Sequence, residues 1–157
     1  MTFTDTHCHL ADPKLANTLP AVLAEAQAAG VARFIVPATS PKDWHSVAQL
    51  ERLSENIHIA LGMHPWFSDG LNEAAFQELE KELIRHPQAW VGEIGLDFYG
   101  KEQTQAQRDT QTDVFIRQLI LAQHLNRRVL IHNLNAAAAI AAAVNTAGCT
   151  QGGIVHA

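Results

Sequence analysis

Apolar residues along this chain follow two alternating rhythms. Short apolar runs are separated by longer stretches in which apolar residues recur at three- and four-residue spacing. The short runs at 31–37, 57–63, 90–96, 128–132 and 152–156 read as strands, and a further strand opens the chain with Phe3-Thr4-Asp5-Thr6-His7-Cys8-His9-Leu10. Between them lie helix signals. Asp12-Pro13 offers an N-cap and a first-turn proline for a helix over 15–29, closed by Gly30. Ser40-Pro41 opens a second helix carrying Trp44, Val47, Leu50 and Leu53 on one face, and a third covers 71–85 and stops before Pro87. Thr104 to Gln107 has the form of a capping box, ahead of a long helix with Phe115, Leu119 and Ala122 along one side. Asn135 then starts an alanine-rich helix to Ala147, ending at Gly148.

Strands recur roughly every 25–35 residues, a spacing that accommodates βα units and parallel pairing. No Gly-x-Gly-x-x-Gly follows a strand, which disfavours a dinucleotide-binding sheet. Polar residues gather at strand C-terminal ends, where a (β/α)₈ barrel builds its active site. A full barrel of that type takes about 250 residues. The expected fold is therefore an incomplete TIM-type (β/α)₈ barrel with about six of its eight βα units, in a single domain over 1–157.

Composition narrows the function. A formal charge of −5 argues against a broad electrostatic footprint for nucleic acid, although a nuclease can draw its positive charge from bound metal. The two cysteines, Cys8 and Cys149, do not form a disulfide framework, so a reducing cytoplasm is expected. The apolar run 136–144 is too short to span a bilayer, and no membrane partner is expected.

Nine histidines are many for this length, and several stand at strand ends. In an extended strand Asp5, His7 and His9 share one face and Thr6, Cys8 and Leu10 the other, so the two imidazoles could chelate one cation. Glu93 lies between Gly92 and Gly95, which suit close approach of a ligand or a neighbouring backbone. His132 follows Val129-Leu130-Ile131, and His156 follows Ile154-Val155. Each has a plain alternative: surface histidines near a terminus, a solvent-facing glutamate, hydrogen-bonded core histidines. Ligand-type residues at the ends of four strands carry more weight together than singly.

Asp-Thr-His-Cys-His-Leu at 5–10, Gly-Met-His-Pro at 62–65, Gly-Glu-Ile-Gly-Leu-Asp at 92–97, Ile-His at 131–132 and Val-His at 155–156 occur in that order. Together they resemble the TatD family of metal-dependent hydrolases, known mainly as deoxyribonucleases among the amidohydrolase-like barrels. The resemblance implies His7 and His9 on one metal, Glu93 bridging two metals, and His132 and His156 on the second. It implies divalent cations, two of them, with zinc, manganese, magnesium or nickel all compatible with such ligands. A metal pair of this kind clamps a phosphodiester and activates water, so DNA or another phosphodiester is the implied substrate. His64 is expected at the rim, close to substrate. Asp5 is a possible acceptor behind His7, Asp97 and Tyr99 are near the site without a role, and Cys8 packs away from it.

Two departures from the family pattern stand out. The family follows its fifth-strand histidine with Ser-Arg-Asp or a close variant; here the run is Asn133-Leu134-Asn135, without the cation that would grip a phosphate. The family also continues beyond the sixth-strand histidine to a Glu-Thr-Asp-type motif, whose aspartate is a ligand and the general base. That aspartate is absent from these residues, and a barrel open at both edge strands is expected to self-associate. Two other readings therefore accompany the deoxyribonuclease: an amidohydrolase or phosphotriesterase-like enzyme acting on a small molecule, and an inactive, truncated, metal-binding barrel fragment.

Overall fold

The structure is a computed structural model and describes residues 1–100 and 103–157. Six strands lie side by side in chain order, every adjacent pair parallel: β1 (Phe3–Asp5), β2 (Val31–Pro37), β3 (Ile57–Leu61), β4 (Trp90–Asp97), β5 (Val129–Leu134) and β6 (Gly153–His156). The connections carry α1 (Leu19–Ala28), α2 (Trp44–Leu50), α3 (Glu73–Arg85), α4 (Gln105–His124) and α5 (Ala137–Ala147). These six strands and five connecting helices form successive parts of a (β/α)₈ barrel, an incomplete barrel as the sequence implied. No helix among the described residues is long and apolar enough to cross a membrane.

Strand periodicity divides the side chains between two layers. Phe34 and Val36 of β2, Ile57, Ile59 and Leu61 of β3, Val91 and Ile94 of β4, and Val129 and Ile131 of β5 pack against the helices. There they meet Trp44 and Val47 of α2, Leu79 and Leu83 of α3, and Phe115 and Leu119 of α4. Each such burial contributes about 1.5–3 kcal/mol, and this sheet–helix layer is the main core. On the opposite face Ile35, Ala60 and Leu130 form a small cluster with half-buried Trp90 and Ile154. His132 lies two residues beyond Leu130 and His156 two beyond Ile154, so both continue that inner face at the strand ends.

Helix α4 fixes the ends of two strands. The fully buried Gln118 accepts the Met63 N–H through Oε1 at 2.7 Å and donates Nε2–H to the Met63 carbonyl at 3.1 Å. Two turns earlier on the same face, Gln111 Oε1 accepts the Asp97 N–H at 3.0 Å. Amides at the end of β4 and just past β3 thus find buried side-chain partners. The capping box that starts this helix forms as read from sequence, with Thr104 and Gln107 exchanging hydrogen bonds.

Several boundaries differ from the sequence expectation. The first strand ends at Asp5, so His7 and His9 lie on the loop beyond it, while Cys8 and Leu10 still reach the core. Residues 13–15 form a 3₁₀ turn capped by Asp12, and α1 begins only at Leu19, where Pro20 occupies the first turn that tolerates a missing N–H. Helix α2 ends at Leu50, which leaves Leu53 59% exposed instead of on a buried face. Asn72 is the N-cap of α3, so that helix starts at Glu73. Asn135 adopts a left-handed conformation with φ 55°, and α5 therefore starts at Ala137.

Candidate metal centre

The site is assembled from strand ends and the loops that follow them. His7 and His9 come from the loop after β1, His64 from the turn after β3, and Glu93 from β4. His132 comes from β5 and His156 from the last residue of β6. All six line one pocket of about 370 Å³, together with Thr39, Trp66, Phe67 and Ala157. A larger cavity of about 790 Å³ lies at the opposite, N-terminal ends of the strands, lined by Arg33, His58, Trp90 and Arg128 among others. The chemistry-bearing residues are at the smaller one.

Glu93 is the centre of the arrangement. It is only 2% exposed, and imidazole nitrogens surround both its oxygens. His7 Nε2 is 2.9 Å from Oε2; His132 Nδ1 and His156 Nε2 are each 3.1 Å from Oε1, and His64 Nε2 is 3.5 Å from it. Burial raises the Glu93 pKa, but the His7 hydrogen bond and the charge of His64, His7 and His156 outweigh it and hold it at about 2. A buried carboxylate therefore stays ionised at neutral pH. Among the described residues, two sets of ligand atoms each lie within 4.8 Å of one another: His7, His9 and Glu93, and His64, Glu93 and His132.

Glycines let the glutamate reach this place. A Cβ on Gly92 would strike Leu130, and one on Gly95 would fall on the His132 backbone. The β4–β5 register shifts between Val91 and Ile94, around Glu93 itself. Gly95 also has φ +136°, a conformation that side chains oppose.

Proton placement separates the histidines. His64 Nδ1 accepts the Trp66 backbone N–H at 3.1 Å. A neutral imidazole has one donor and one acceptor nitrogen, so the His64 proton sits on Nε2, facing Glu93. That nitrogen is a donor and has no lone pair for a cation. Burial holds the ring neutral, with a pKa lowered to about 4. His64 is thus buried, 6% exposed, where the sequence placed it at a rim, and its chemistry is that of a hydrogen-bond donor. His132 is the reverse case. Its Nε2 lies 3.4 Å from Asp97 Oδ2, so a proton there leaves the Nδ1 lone pair directed toward the Glu93 side. Among the described residues His156 Nε2 is buried without a hydrogen-bond partner despite its 3.1 Å approach to Glu93. An orphaned buried nitrogen, a buried anion and converging imidazoles fit a divalent cation, which would replace repulsion between lone pairs and carboxylate by attraction.

Asp97, to which the sequence assigns no role, is the carboxylate behind the cluster. It is 4% exposed, faces His132, and accepts the Trp66 indole N–H at 2.6 Å through the same Oδ2. Asp5, by contrast, is exposed and accepts the His7 backbone N–H. A signal for Asp97 is present in the sequence: it stands four residues after Glu93, at the end of the same strand. Cys8 packs away as expected, donating to the Ile35 carbonyl; burial and then Asp5 push its thiol up to about 12, so it supplies no thiolate. Leu134 is partly buried and is absent from the residues lining the pocket.

Comparison with known proteins agrees with this geometry. Residues 4–157 match the model of the family described as TatD related DNase. The chain is 31% identical over 98% of its length to the uncharacterized metal-dependent hydrolase YjjV of Escherichia coli K12, and spans 59% of that protein. It is 31% identical over 84% of its length to the human deoxyribonuclease TATDN3, spanning 52% of it. The crystal structure of YjjV superposes with a TM-score of 0.89, again covering 98% of this chain and 59% of the other. The chain thus spans about three-fifths or less of the curated relatives it resembles. By the family match over residues 4–157 and the shared barrel architecture, the chain belongs to the TatD family of metal-dependent hydrolases.

Proposed function

We propose that this chain contributes the metal-binding half of a divalent-metal-dependent phosphodiesterase acting on DNA. The observation that carries the reading is Glu93, an ionised, buried carboxylate with imidazole nitrogens at both oxygens. His7, His9 and Glu93 Oε2 would hold one cation, and Glu93 Oε1 with His132 and His156 a second, so that Glu93 bridges them. A divalent pair, when bound, supplies Lewis acidity and a water of lowered pKa. The chain's own residues do the rest. Asp97 fixes the His132 tautomer, and His64 presents an Nε2 proton to an oxygen of the substrate beside Glu93. The names of relatives such as the human deoxyribonuclease support DNA as the substrate.

Hydrolysis of bis(4-nitrophenyl) phosphate and of a single-stranded oligonucleotide by zinc- or manganese-loaded protein tests the reading. Slow metal-dependent cleavage of both, abolished in Glu93→Gln, is the expected result, because the family's general-base aspartate is absent from these residues and general-base catalysis contributes about 10²–10⁴-fold. Cleavage of amides or lactones with neither diester touched would replace the phosphodiesterase with an amidohydrolase. Metal binding by calorimetry without turnover on any of these would leave a metal-binding fragment only.

A further inference from the structure

Trp66 is out of place for a structural tryptophan. It is 72% exposed, yet it is not loose. Its indole N–H is held by the buried Asp97 carboxylate at 2.6 Å and its backbone N–H by His64 Nδ1 at 3.1 Å. It sits in a 3₁₀ turn over Pro65–Gly70 that opens with a proline. An aromatic surface fixed in this way loses little conformational freedom when something packs on it, which is the economy of a recognition residue. Phe67, 44% exposed, stands beside it and lines the same pocket.

Trp66 also belongs to two cavities. It lines the 370 Å³ pocket that holds Glu93 and the histidines. It also lines a neighbouring recess of about 220 Å³ with Pro65, Ser68, Asp69, Gln103, Gln107 and Gln111. Three carboxamides, a hydroxyl and the Asp69 carboxylate in a recess this small suit a flat molecule without negative charge that has donors and acceptors on its edge. Gln103 Oε1 is buried and has no hydrogen-bond partner among the described residues, while Gln103 Nε2 donates to the Asp97 carbonyl at 2.9 Å. Among the described residues no lysine or arginine lines either cavity, so a substrate held by phosphate contacts alone would be held weakly.

We propose that Trp66 is a stacking platform for a nucleobase next to the scissile phosphate, with the glutamine-lined recess receiving the edge of that base. The proposal rests on the phosphodiesterase reading and gives its substrate a polarity: the base stacks on Trp66 while its phosphate faces the Glu93 cluster. Base–aromatic stacking is sequence-tolerant, because every base offers a π-face. Preference for single-stranded ends follows, since a paired base could not leave its stack to reach the indole.

The test uses metal-free protein, so that nothing turns over, titrated with tetrathymidylate and with a tetranucleotide backbone of the same length lacking bases. Stacking predicts saturable quenching of the Trp66 emission, taken as the difference between wild type and Trp66→Phe, by the base-bearing strand alone. Trp66→Ala should weaken that strand's binding by roughly 5- to 150-fold, the range for loss of one stacked base. Trp66→Phe, which keeps a ring, should retain much of the affinity. Binding of the baseless strand should be unchanged in both. Equal affinity of wild type for the two strands, or no loss in Trp66→Ala, overturns the proposal. Hydrolysis of bis(4-nitrophenyl) phosphate, which has no base, reports the underlying reading separately. Hydrolysis without base dependence removes the stacking site and keeps the phosphodiesterase; base dependence without hydrolysis does the opposite.

Discussion

His64 accepts the Trp66 backbone N–H on Nδ1 at 3.1 Å, and the imidazole proton is thereby placed on Nε2, toward Glu93. The nearby His132 has the opposite arrangement, with Nε2 toward Asp97 and Nδ1 toward Glu93. Two histidines whose ring centroids are 4.6 Å apart are thus prepared for different work. His64→Gln should leave metal affinity within a few-fold of wild type while lowering turnover, because a carboxamide N–H can replace the donor only imperfectly. His132→Ala removes a proposed ligand and should weaken metal binding by more than the roughly 10- to 100-fold typical of losing a ligand's supporting residue. Calorimetric titration with zinc, run on both variants, distinguishes them. Equal losses would place His64 in the coordination shell.

Asp97→Asn tests the carboxylate behind the cluster. The amide is isosteric, but it offers His132 a weaker acceptor or, if turned, a clashing donor. Metal affinity should fall roughly 10- to 100-fold, the usual effect of altering the partner of a ligating histidine. Because Asp97 also anchors the indole of Trp66, the emission of that tryptophan should shift in the same variant. A change in emission with metal affinity intact would mean that Asp97 serves Trp66 alone.

Much of this architecture is legible in the amino-acid sequence. The order of strands, the helix faces of α2 and α4, and the Thr104–Gln107 cap follow from periodicity and local hydrogen bonding, both encoded within a few residues. The convergence of His7, His9, Glu93, His132 and His156 follows from parallel topology, which brings strand C-terminal ends together. The features that sequence does not reveal depend on contacts distant along the chain. The burial of His64 comes from its position between Trp66 and Glu93, and the role of Asp97 from β5 bringing His132 alongside it. Leu53 is misleading for a different reason: helical spacing continues past residue 50, but the helix does not.

Gly95 is the glycine on which the β4–β5 junction depends. Its φ of +136° and the position of the His132 backbone leave no space for a methyl group. Gly95→Ala should cost about 1–3 kcal/mol from backbone strain alone. Moving β5 to relieve the contact would add loss of pairing at Ile131 and His132. Urea denaturation should show the midpoint falling, and zinc titration should show weakened binding even where the variant remains folded. Gly100→Ala is the control: it shares a positive φ of +107°, but among the described residues nothing lies within 4 Å of its Cβ position. It should lose stability without losing metal affinity.

The histidine cluster should make the metal-free protein sensitive to acid well above the range where carboxylates titrate. Burial lowers the His64 pKa from 6.5 to about 4, and burial followed by the charge of His7 also lowers that of His156. Between pH 6.5 and 4 an unfolded His64 binds a proton that the folded one refuses. Stability therefore rises with pH across this window. Its His64 part is fully present above pH 6.5 and is lost as pH falls toward 4. Glu93 acts in the same direction further down: its part is present above its ordinary value of 4.5 and is lost as pH falls toward about 2. Urea denaturation at pH 7, 6, 5 and 4 should show a steady decline, reduced in His64→Asn, which has no proton to take up in this range. Saturating zinc should raise the plateau at pH 7 and steepen the decline, because protons and metal compete for the same imidazole nitrogens. A flat profile from pH 6.5 to 4 in wild type, or an equal slope in His64→Asn, would show that the buried imidazole is not held neutral by its surroundings.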